Sequence, residues 1–296
     1  MRIRGTIHMI ELDHKIIGIK TYKQIKFFYF QNAQMNTFKR YLYQGNWIDL
    51  EYDDSRTVRK GAYSAYVISY LYRIEALGRN DHVIYYDKLM INKQLNRFLN
   101  SLNNTMFLDL ETTMPSYKFR GKGFKTEMIQ AGLVIVDHKG NELYRYSRYV
   151  KPKLTNHLTK RVEDFLGITS EGFYKEAIDY IDFYNDFKGI LKKYNPTIVV
   201  FGRNDILVLN ESYEINGVKS LRYKTRFVNL CQLIKSYYEL RNDPGLFKLY
   251  KLYYGLDDVQ VHDAFDDCEV TKDVFLAFRK DTEDKTKASI IRKELD

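Results

Sequence analysis

Four acidic residues and one histidine stand in a fixed order along the chain, and together they could form a metal site. Asp109 and Glu111 lie within one hydrophobic segment, Asp205 follows another, and His262 and Asp267 share a third. Carboxylates that converge bind hard divalent cations through oxygen. Two such cations can hold a phosphodiester during in-line attack by water. Histidine suits the removal of a proton from that water near neutral pH.

Each motif also predicts local structure. Residues two apart on a strand project from the same face, so Asp109 and Glu111 lie together while Leu108 and Leu110 turn into the core. Asp205 is expected near the start of a helix, where a negative charge is tolerated. Taken alone, each motif has a plainer reading, such as an acid at a helix N-terminus or a histidine in a surface loop.

Length, composition and charge limit the class of protein. A chain of 296 residues predicts two domains. There is no run of 18 apolar residues and no apolar stretch behind Met1, so neither a membrane span nor a signal peptide is expected. The two cysteines lack metal-type spacing and are expected to be reduced thiols of a cytoplasmic protein. The net charge of +9 lies mostly in residues 1–100, which suits a polyanion partner or a solubilising surface.

Hydrophobic patterning divides the chain into a β-rich part, a helical connector and an α/β part. Residues 1–80 contain five segments rich in β-branched and aromatic residues, which predict strands: 5–10, 15–20, 25–30, 47–52 and 62–70. Five strands in so short a stretch favour a small barrel. Helical spacing over 86–102, with Asp87 as a possible cap, predicts a connector at 81–103. Predicted strands of the α/β part are 105–110, 128–137, 143–152 and 197–202, and predicted helices are 174–194, 228–239 and the segment after His262. The charged tail at 281–296 is expected to fray.

Longer motifs around the five residues resemble those of the DnaQ-like 3′–5′ exonucleases of the DEDDh type. The matching segments are 107–113 (Phe-Leu-Asp-Leu-Glu-Thr-Thr), 127–137, 201–205 (Phe-Gly-Arg-Asn-Asp) and 262–268. The resemblance covers about residues 104–280. A sister type carries Tyr four residues before the last acid, where this chain has Asp263. The implied fold is an α/β RNase H-like domain with a central mixed sheet flanked by helices. Residues 149–158 and 165–169 are similar to the KapD/Eri-like branch, which processes RNA 3′ ends.

The resemblance also implies roles for individual residues and for two divalent cations, Mg²⁺ or Mn²⁺. Asp109, Glu111 and Asp267 would hold the cation that activates water, and Asp109 with Asp205 would hold the second. His262 would be the general base. The products would be nucleoside 5′-monophosphates released from a free 3′ end.

Residues 1–80 resemble the cold-shock form of the OB fold, a barrel that stacks unpaired bases on aromatic side chains beside a basic groove. Alternation along the third strand places Phe28 in the core. The residues expected to contact nucleic acid are Phe27, Tyr29, Phe30, Lys23 and Lys26 in the barrel and Thr112 beside the carboxylates. The aromatics that the cold-shock family carries on its first two strands are replaced here by Met9, Ile10, Ile17 and Ile19.

The sequence thus favours a two-domain 3′–5′ exonuclease that acts on single-stranded nucleic acid, with RNA favoured over DNA. A DNA exonuclease for repair or proofreading is an alternative within the same class. A non-catalytic single-strand-binding protein is an alternative from another class, and the barrel could instead bind protein. A homodimer is possible, but no interface is legible in the sequence.

Overall fold

The computed structural model describes residues 1–22, 24–77, 82–240, 242–255, 263–284 and 288–295. The chain divides into two compact units, an N-terminal unit, Met1–Leu95, and a C-terminal unit, Asn96–Asp296. Two predicted site residues, Lys23 and His262, lie outside the described residues. Among the helices that are described, none combines the length and the apolar character needed to cross a membrane.

The N-terminal unit is built mainly from antiparallel strands. Its elements in chain order are β1 (Arg2–Glu11), β2 (Ile16–Lys20), β3 (Ile25–Tyr29), α1 (Asn32–Phe38), β4 (Trp47–Lys60), β5 (Tyr63–Leu77) and β6 (His82–Asp87). Helix α2 (Lys88–Asn100) follows and contains the boundary between the units. The Asp87 carboxylate accepts a hydrogen bond from the Met90 N–H at 2.9 Å, which confirms the predicted cap.

Five of these strands close into a barrel. Among the described strands the order is β3-β2-β1-β4-β5-β6, and β3 also pairs in parallel with β5. All five predicted strands are present, and the closed sheet is compatible with an OB-like domain. Strand β6 was not expected, since its residues fall within the predicted helical connector.

The barrel core corrects one predicted site residue. Phe28 has no exposed surface, as predicted, and contributes to an aliphatic and aromatic core. Phe30 is also fully buried and therefore cannot stack a base. The alternation that turns Phe28 inward turns Phe30 inward as well, because the two residues are two positions apart.

The C-terminal unit has a mixed sheet with helices on its faces. Its strands are β7 (Thr105–Thr112), β8 (Met128–Val136), β9 (Glu142–Tyr149), β10 (Thr197–Val200) and β11 (Phe227–Asn229). Its helices are α3 (Lys160–Leu166), α4 (Ser170–Glu176), α5 (Tyr180–Tyr194), α6 (Asn204–Asn216), α7 (Leu230–Tyr238), α8 (Leu246–Tyr254), α9 (Ala264–Asp284) and α10 (Ala288–Leu295). Among the described strands the order is β11-β10-β7-β8-β9. Strands β7, β10 and β11 are parallel, so their carboxyl ends share one edge of the sheet.

Two helical predictions need correction. The helix predicted over 174–194 is two helices, because α4 ends at Glu176 and Asp179 precedes α5. The range 281–296, predicted to fray, is helical where it is described, and Ile291 is fully buried. Burial of an apolar residue, Ile291, stabilises α10.

The two faces of β7 have different partners. Its even-numbered residues, such as Leu108 and Leu110, are buried in the main core of the unit. On its other face, Phe107 contacts Phe275 of α9 with ring centroids 5.3 Å apart. Helix α9 therefore covers the face of β7 from which Asp109 also projects.

Gly132 on β8 allows α9 to approach the sheet closely. A Cβ atom at this position would lie 2.3 Å from the backbone carbonyl carbon and oxygen of Ala264. The thiol of Cys268 donates a hydrogen bond to the Gly132 carbonyl at 3.0 Å. Only a glycine lets the first turns of α9 lie directly on the strand.

We expect Gly132→Ala to displace the start of α9 and to lower the free energy of unfolding by at least roughly 1–3 kcal/mol. Gly189→Ala is the matched control, because Gly189 lies inside α5 with nothing within 4 Å of its missing Cβ. That control should be neutral or more stable by roughly 0.5–1 kcal/mol. Equal stability of the two variants in urea unfolding would contradict the close packing of α9 on β8.

Candidate active site

Three predicted acids converge at the carboxyl end of β7. Asp109, Glu111 and Asp267 each offer a carboxylate oxygen, and these oxygens all lie within 4.8 Å of one another. Asp109 and Glu111 come from β7, and Asp267 comes from the first turns of α9. Strand alternation and the packing of α9 thus bring together residues that are far apart in sequence.

Asp205 joins this cluster through the main chain of β7. Its Oδ1 accepts a hydrogen bond at 3.2 Å from the N–H of Leu110, the residue between Asp109 and Glu111. Strand β10 pairs with β7 only as far as Phe107 and then leads through Gly202, whose φ is +119°, into α6. Asp205 in the first turn of α6 therefore satisfies a β7 amide that lies beyond the end of β10.

The start of α9 is fixed by two polar side chains. The Asp263 carboxylate accepts hydrogen bonds from the N–H groups of Phe265 at 2.9 Å and Asp266 at 3.2 Å, so it caps the helix. The Gln130 side chain donates to Asp263 at 2.6 Å and accepts from the Ala264 N–H at 3.3 Å. Gln130 is a buried residue of β8, so these bonds tie the helix start to the sheet.

Burial and mutual repulsion raise the pKa values of the clustered acids. Burial, together with the charges of nearby carboxylates, raises the pKa of Glu111 to about 7. The same two causes raise the pKa of Asp267 to about 7. Burial and the same neighbours raise the pKa of Asp109 well above its usual range. Burial raises the pKa of Asp205 to about 6, although the hydrogen bond from Leu110 opposes the shift. Full ionisation near neutral pH therefore requires a compensating positive charge.

The cluster has the properties of a divalent-cation site. All its donor atoms are oxygens, which hard cations prefer. Among the residues that the structure describes, Asp267 Oδ1 is buried and has no hydrogen-bond partner. A buried carboxylate oxygen without a partner is costly unless it contacts a cation. The residues therefore fit a divalent metal ion.

The structure brings together all four predicted carboxylates and places Thr112 next to Glu111 at the end of β7. His262 immediately precedes the described helix cap, Asp263, but is itself not described. The prediction missed Gln130 and the capping role of Asp263. Capping preferences could have found Asp263, whereas only a polar residue inside an apolar strand hinted at Gln130.

A second candidate surface lies in the N-terminal unit. Phe27 and Tyr29 are partly exposed on β3, and the Phe27 ring lies 5.0 Å from that of Tyr63. The Lys60 ammonium lies 5.7 Å from the Tyr29 ring centroid. Lys26 is partly exposed on the same strand, and its ammonium lies 6.0 Å from the ring centroids of Tyr52 and Tyr66. Aromatic faces next to lysines suit single-stranded nucleic acid.

Known proteins share the fold and motifs of the C-terminal unit. The exonuclease family described as RNase_T matches residues 106–275. A probable 3′–5′ exonuclease, KapD of Bacillus subtilis (strain 168), is 29% identical over 197 residues, which span 66% of this chain and 94% of the relative.

Two solved structures share the fold at low sequence identity. The nuclease domain of 3′hExo, a DEDDh family member bound to rAMP, has a TM-score of 0.53 at 17% identity. The alignment covers 62% of this chain and 94% of that one. A 3′-exonuclease that recognises the histone mRNA stem-loop has a TM-score of 0.52 at 16% identity, over 63% of this chain and 84% of that one.

We expect the stability of the metal-free protein to depend on the charge of this cluster. Its acids bind protons more tightly when folded, so the free energy of unfolding in EDTA should fall as pH rises from about 4 to about 7. Asp267→Asn removes one repelling charge and should raise the unfolding midpoint at pH 8, by roughly 2–4 °C for each 1 kcal/mol gained. Added Mg²⁺ should stabilise the wild type more than this variant.

Asp182→Asn is the matched control, because Asp182 is an exposed aspartate of α5 that lies outside the carboxylate cluster. Its response to Mg²⁺ should match that of the wild type in thermal unfolding scans. An unfolding midpoint that rises steadily from pH 4 to pH 7 in EDTA would sink the electrostatic account of the cluster.

Proposed function

The chain belongs to the exonuclease family, and from that membership we propose that this 3′–5′ exonuclease removes nucleotides from single-stranded nucleic acid, with RNA preferred over DNA. The observation that carries the proposal is the convergence of Asp109, Glu111 and Asp267, with their oxygens within 4.8 Å of one another. Asp205 adds a fourth carboxylate through its bond to β7. Clusters of this kind suit metal-assisted hydrolysis of phosphodiesters.

The proposed roles divide the cluster between two cations, Mg²⁺ or Mn²⁺. Asp109, Glu111 and Asp267 hold one, and Asp109 with Asp205 holds the other. When bound, such ions lower the pKa of water and neutralise charge on the phosphodiester. His262 takes the proton of the attacking water. The water oxygen bonds to phosphorus, and the bond between phosphorus and the preceding 3′ oxygen breaks. That 3′ oxygen takes a proton from solvent, and a nucleoside 5′-monophosphate leaves.

The chain's own packing prepares this site. The cap at Asp263 and its bond to Gln130 hold the first turn of α9, and so keep Asp267 in place. His262 directly precedes that cap in the sequence. Thr112 follows Glu111 on β7, and we assign it to contact with the terminal nucleotide. Fixed ligands lose little entropy when a cation and a strand bind.

The preference for RNA rests on resemblance. Segments 149–158 and 165–169 are similar to the KapD/Eri-like branch, and KapD itself is a relative at 29% identity. The histone mRNA-binding 3′-exonuclease shares the fold. A DNA exonuclease would use the same carboxylates. A non-catalytic binder has less support, because such a protein has no need to keep four repelling acids together.

We also propose a cytosolic location, since both cysteines, Cys231 and Cys268, are buried free thiols. Free buried thiols persist in a reducing compartment.

We expect matched 5′-labelled single strands of RNA and DNA to shorten from the 3′ end with Mg²⁺ or Mn²⁺ and to stay intact in EDTA. RNA should be the faster substrate on a resolving gel.

Asp109→Asn should abolish cleavage but not binding, and His262→Ala should slow the rate roughly 10²–10⁴-fold because the base is lost. Asp182→Asn serves as the charge-matched control and should cleave like the wild type. Residual activity of Asp109→Asn within tenfold of the wild type would overturn the site assignment.

We propose that the barrel of the N-terminal unit binds single-stranded nucleic acid through Phe27, Tyr29, Lys23 and Lys26. Phe27→Ala combined with Tyr29→Ala should weaken binding by about 1–3 kcal/mol per lost stack, measured by fluorescence anisotropy in EDTA. Tyr43→Ala is the control, because Tyr43 is an exposed aromatic that contacts Tyr85 instead. If the double variant and the control bind equally well, the barrel binds something else, such as protein.

A further inference from the structure

The connection between β7 and β8, residues 114–126, combines positive charge with exposed aromatic rings, and we refer to it as the basic-aromatic loop. Its basic residues are Lys118, Arg120, Lys122 and Lys125, and no Asp or Glu lies within it. Its aromatic residues are Tyr117, Phe119 and Phe124, with 61%, 41% and 39% of their surfaces exposed. The motifs and roles described above leave this segment unexplained.

Both ends of the loop are fixed beside the carboxylate cluster. Thr113 donates its backbone N–H to the Glu127 carbonyl at 2.8 Å, and the Glu127 N–H donates to the Thr113 hydroxyl at 2.9 Å. Thr113 is only two residues after Glu111. The Glu127 carboxylate in turn accepts backbone hydrogen bonds from Lys153 and Leu154 at 2.7 and 2.9 Å. The loop therefore leaves the sheet at the edge where the cluster stands.

The loop conformation keeps the rings at the surface. Phe119 and Phe124 contact each other edge to face with centroids 5.9 Å apart. A Cβ atom at Gly121 would lie 2.8 Å from the Phe119 ring, and Gly123 has a φ of +85°. Arg120 donates to the carbonyl of Tyr117 at 3.0 Å. Glycines and this hydrogen bond thus support an arrangement in which apolar rings remain in solvent, as at binding surfaces.

We propose that the basic-aromatic loop binds the single strand on the 5′ side of the nucleotide being removed, an inference that rests on the proposed function. Its lysines form no ion pair with any residue in the described part of the chain, so they can offer positive charge to the phosphates. Its ring faces can stack on unpaired bases, whereas the bases of a duplex are already stacked on each other. The loop begins directly after the end of β7, next to Glu111, and so lies close to a strand whose 3′ end is bound at the carboxylates.

A second basic segment provides a matched control. Residues 219–226 also carry exposed basic side chains around an exposed aromatic, Tyr223. This segment leads into the amino end of β11, which is parallel to β7. It therefore lies at the opposite edge of the sheet from the carboxylates.

The experiment compares two variants that each lose three positive charges. The loop variant is Lys118→Gln, Lys122→Gln and Lys125→Gln, and the control is Lys219→Gln, Arg222→Gln and Lys224→Gln. For a single strand of about 16 nucleotides, the loop variant should raise KM at least roughly tenfold. Its slope of log affinity against log salt should be shallower by about 2 than that of the wild type. Cleavage of a dinucleotide, which offers only one nucleotide on the 5′ side of the scissile bond, should be affected much less than cleavage of the longer strand.

A second variant tests stacking apart from charge. Phe119→Ala with Phe124→Ala should weaken binding of the longer strand roughly 5- to 100-fold per ring while leaving the salt slope unchanged. Equal losses in the loop and control charge variants would overturn the proposal, as would equal losses on the dinucleotide and the longer strand. Unchanged binding in both loop variants would assign the loop to another partner, such as a protein.

Binding of the longer strand is also measured in EDTA, where hydrolysis plays no part. If the wild type cleaves neither substrate, the proposed function fails, but the binding of the charge variants still decides the role of the loop. If the wild type cleaves both and the loop variant binds and cleaves normally, only the inference about the loop fails.

Discussion

The repulsion among four carboxylates in a small, buried space is the constraint on which the C-terminal unit depends. Burial, together with the charges of neighbouring carboxylates, raises the pKa of Glu111 and of Asp267 to about 7. A chain that only satisfied its own stability would keep such acids apart. Their convergence requires strong positioning interactions from the elements that carry them, and it favours occupation by cations.

Those positioning interactions differ for each acid. Asp109 and Glu111 are fixed by β7, whose opposite face is buried in the main core through Leu108 and Leu110. Asp205 is held by a hydrogen bond to the β7 backbone. Asp267 depends on α9, which is anchored by Gly132 at one point and by the contact between Phe107 and Phe275 at another. Apolar packing and main-chain hydrogen bonds thus offset the electrostatic cost of the site.

Local sequence rules predicted the parts of the site that depend on one element. Alternation along a strand was enough to place Asp109 and Glu111 together, and the turn after β10 was enough to place Asp205 at a helix start. Capping preferences would also have identified Asp263. The same alternation, applied consistently, would have put Phe30 in the barrel core with Phe28.

Strand alternation and capping preferences could not predict contacts between segments that are distant in the sequence. Nothing near Gly132 in sequence indicates that Ala264 lies against it, and nothing near Gln130 indicates that it binds the start of α9. Strand β6 and helix α1 were missed because each is short and lacks a clear hydrophobic period. Helix α10 was missed because its many charged residues made the one buried apolar residue, Ile291, hard to recognise.

The contribution of α9 has a consequence for how the enzyme is made. A ribosome synthesises β7 and its two acids well before it reaches Ala264, so a nascent chain carries an incomplete ligand set. The set of carboxylate ligands is complete only when α9 has left the ribosome and has packed against β8 at Gly132. Chains that end before α9 therefore contain the acids of β7 but cannot form the complete carboxylate cluster, because Asp267 is missing.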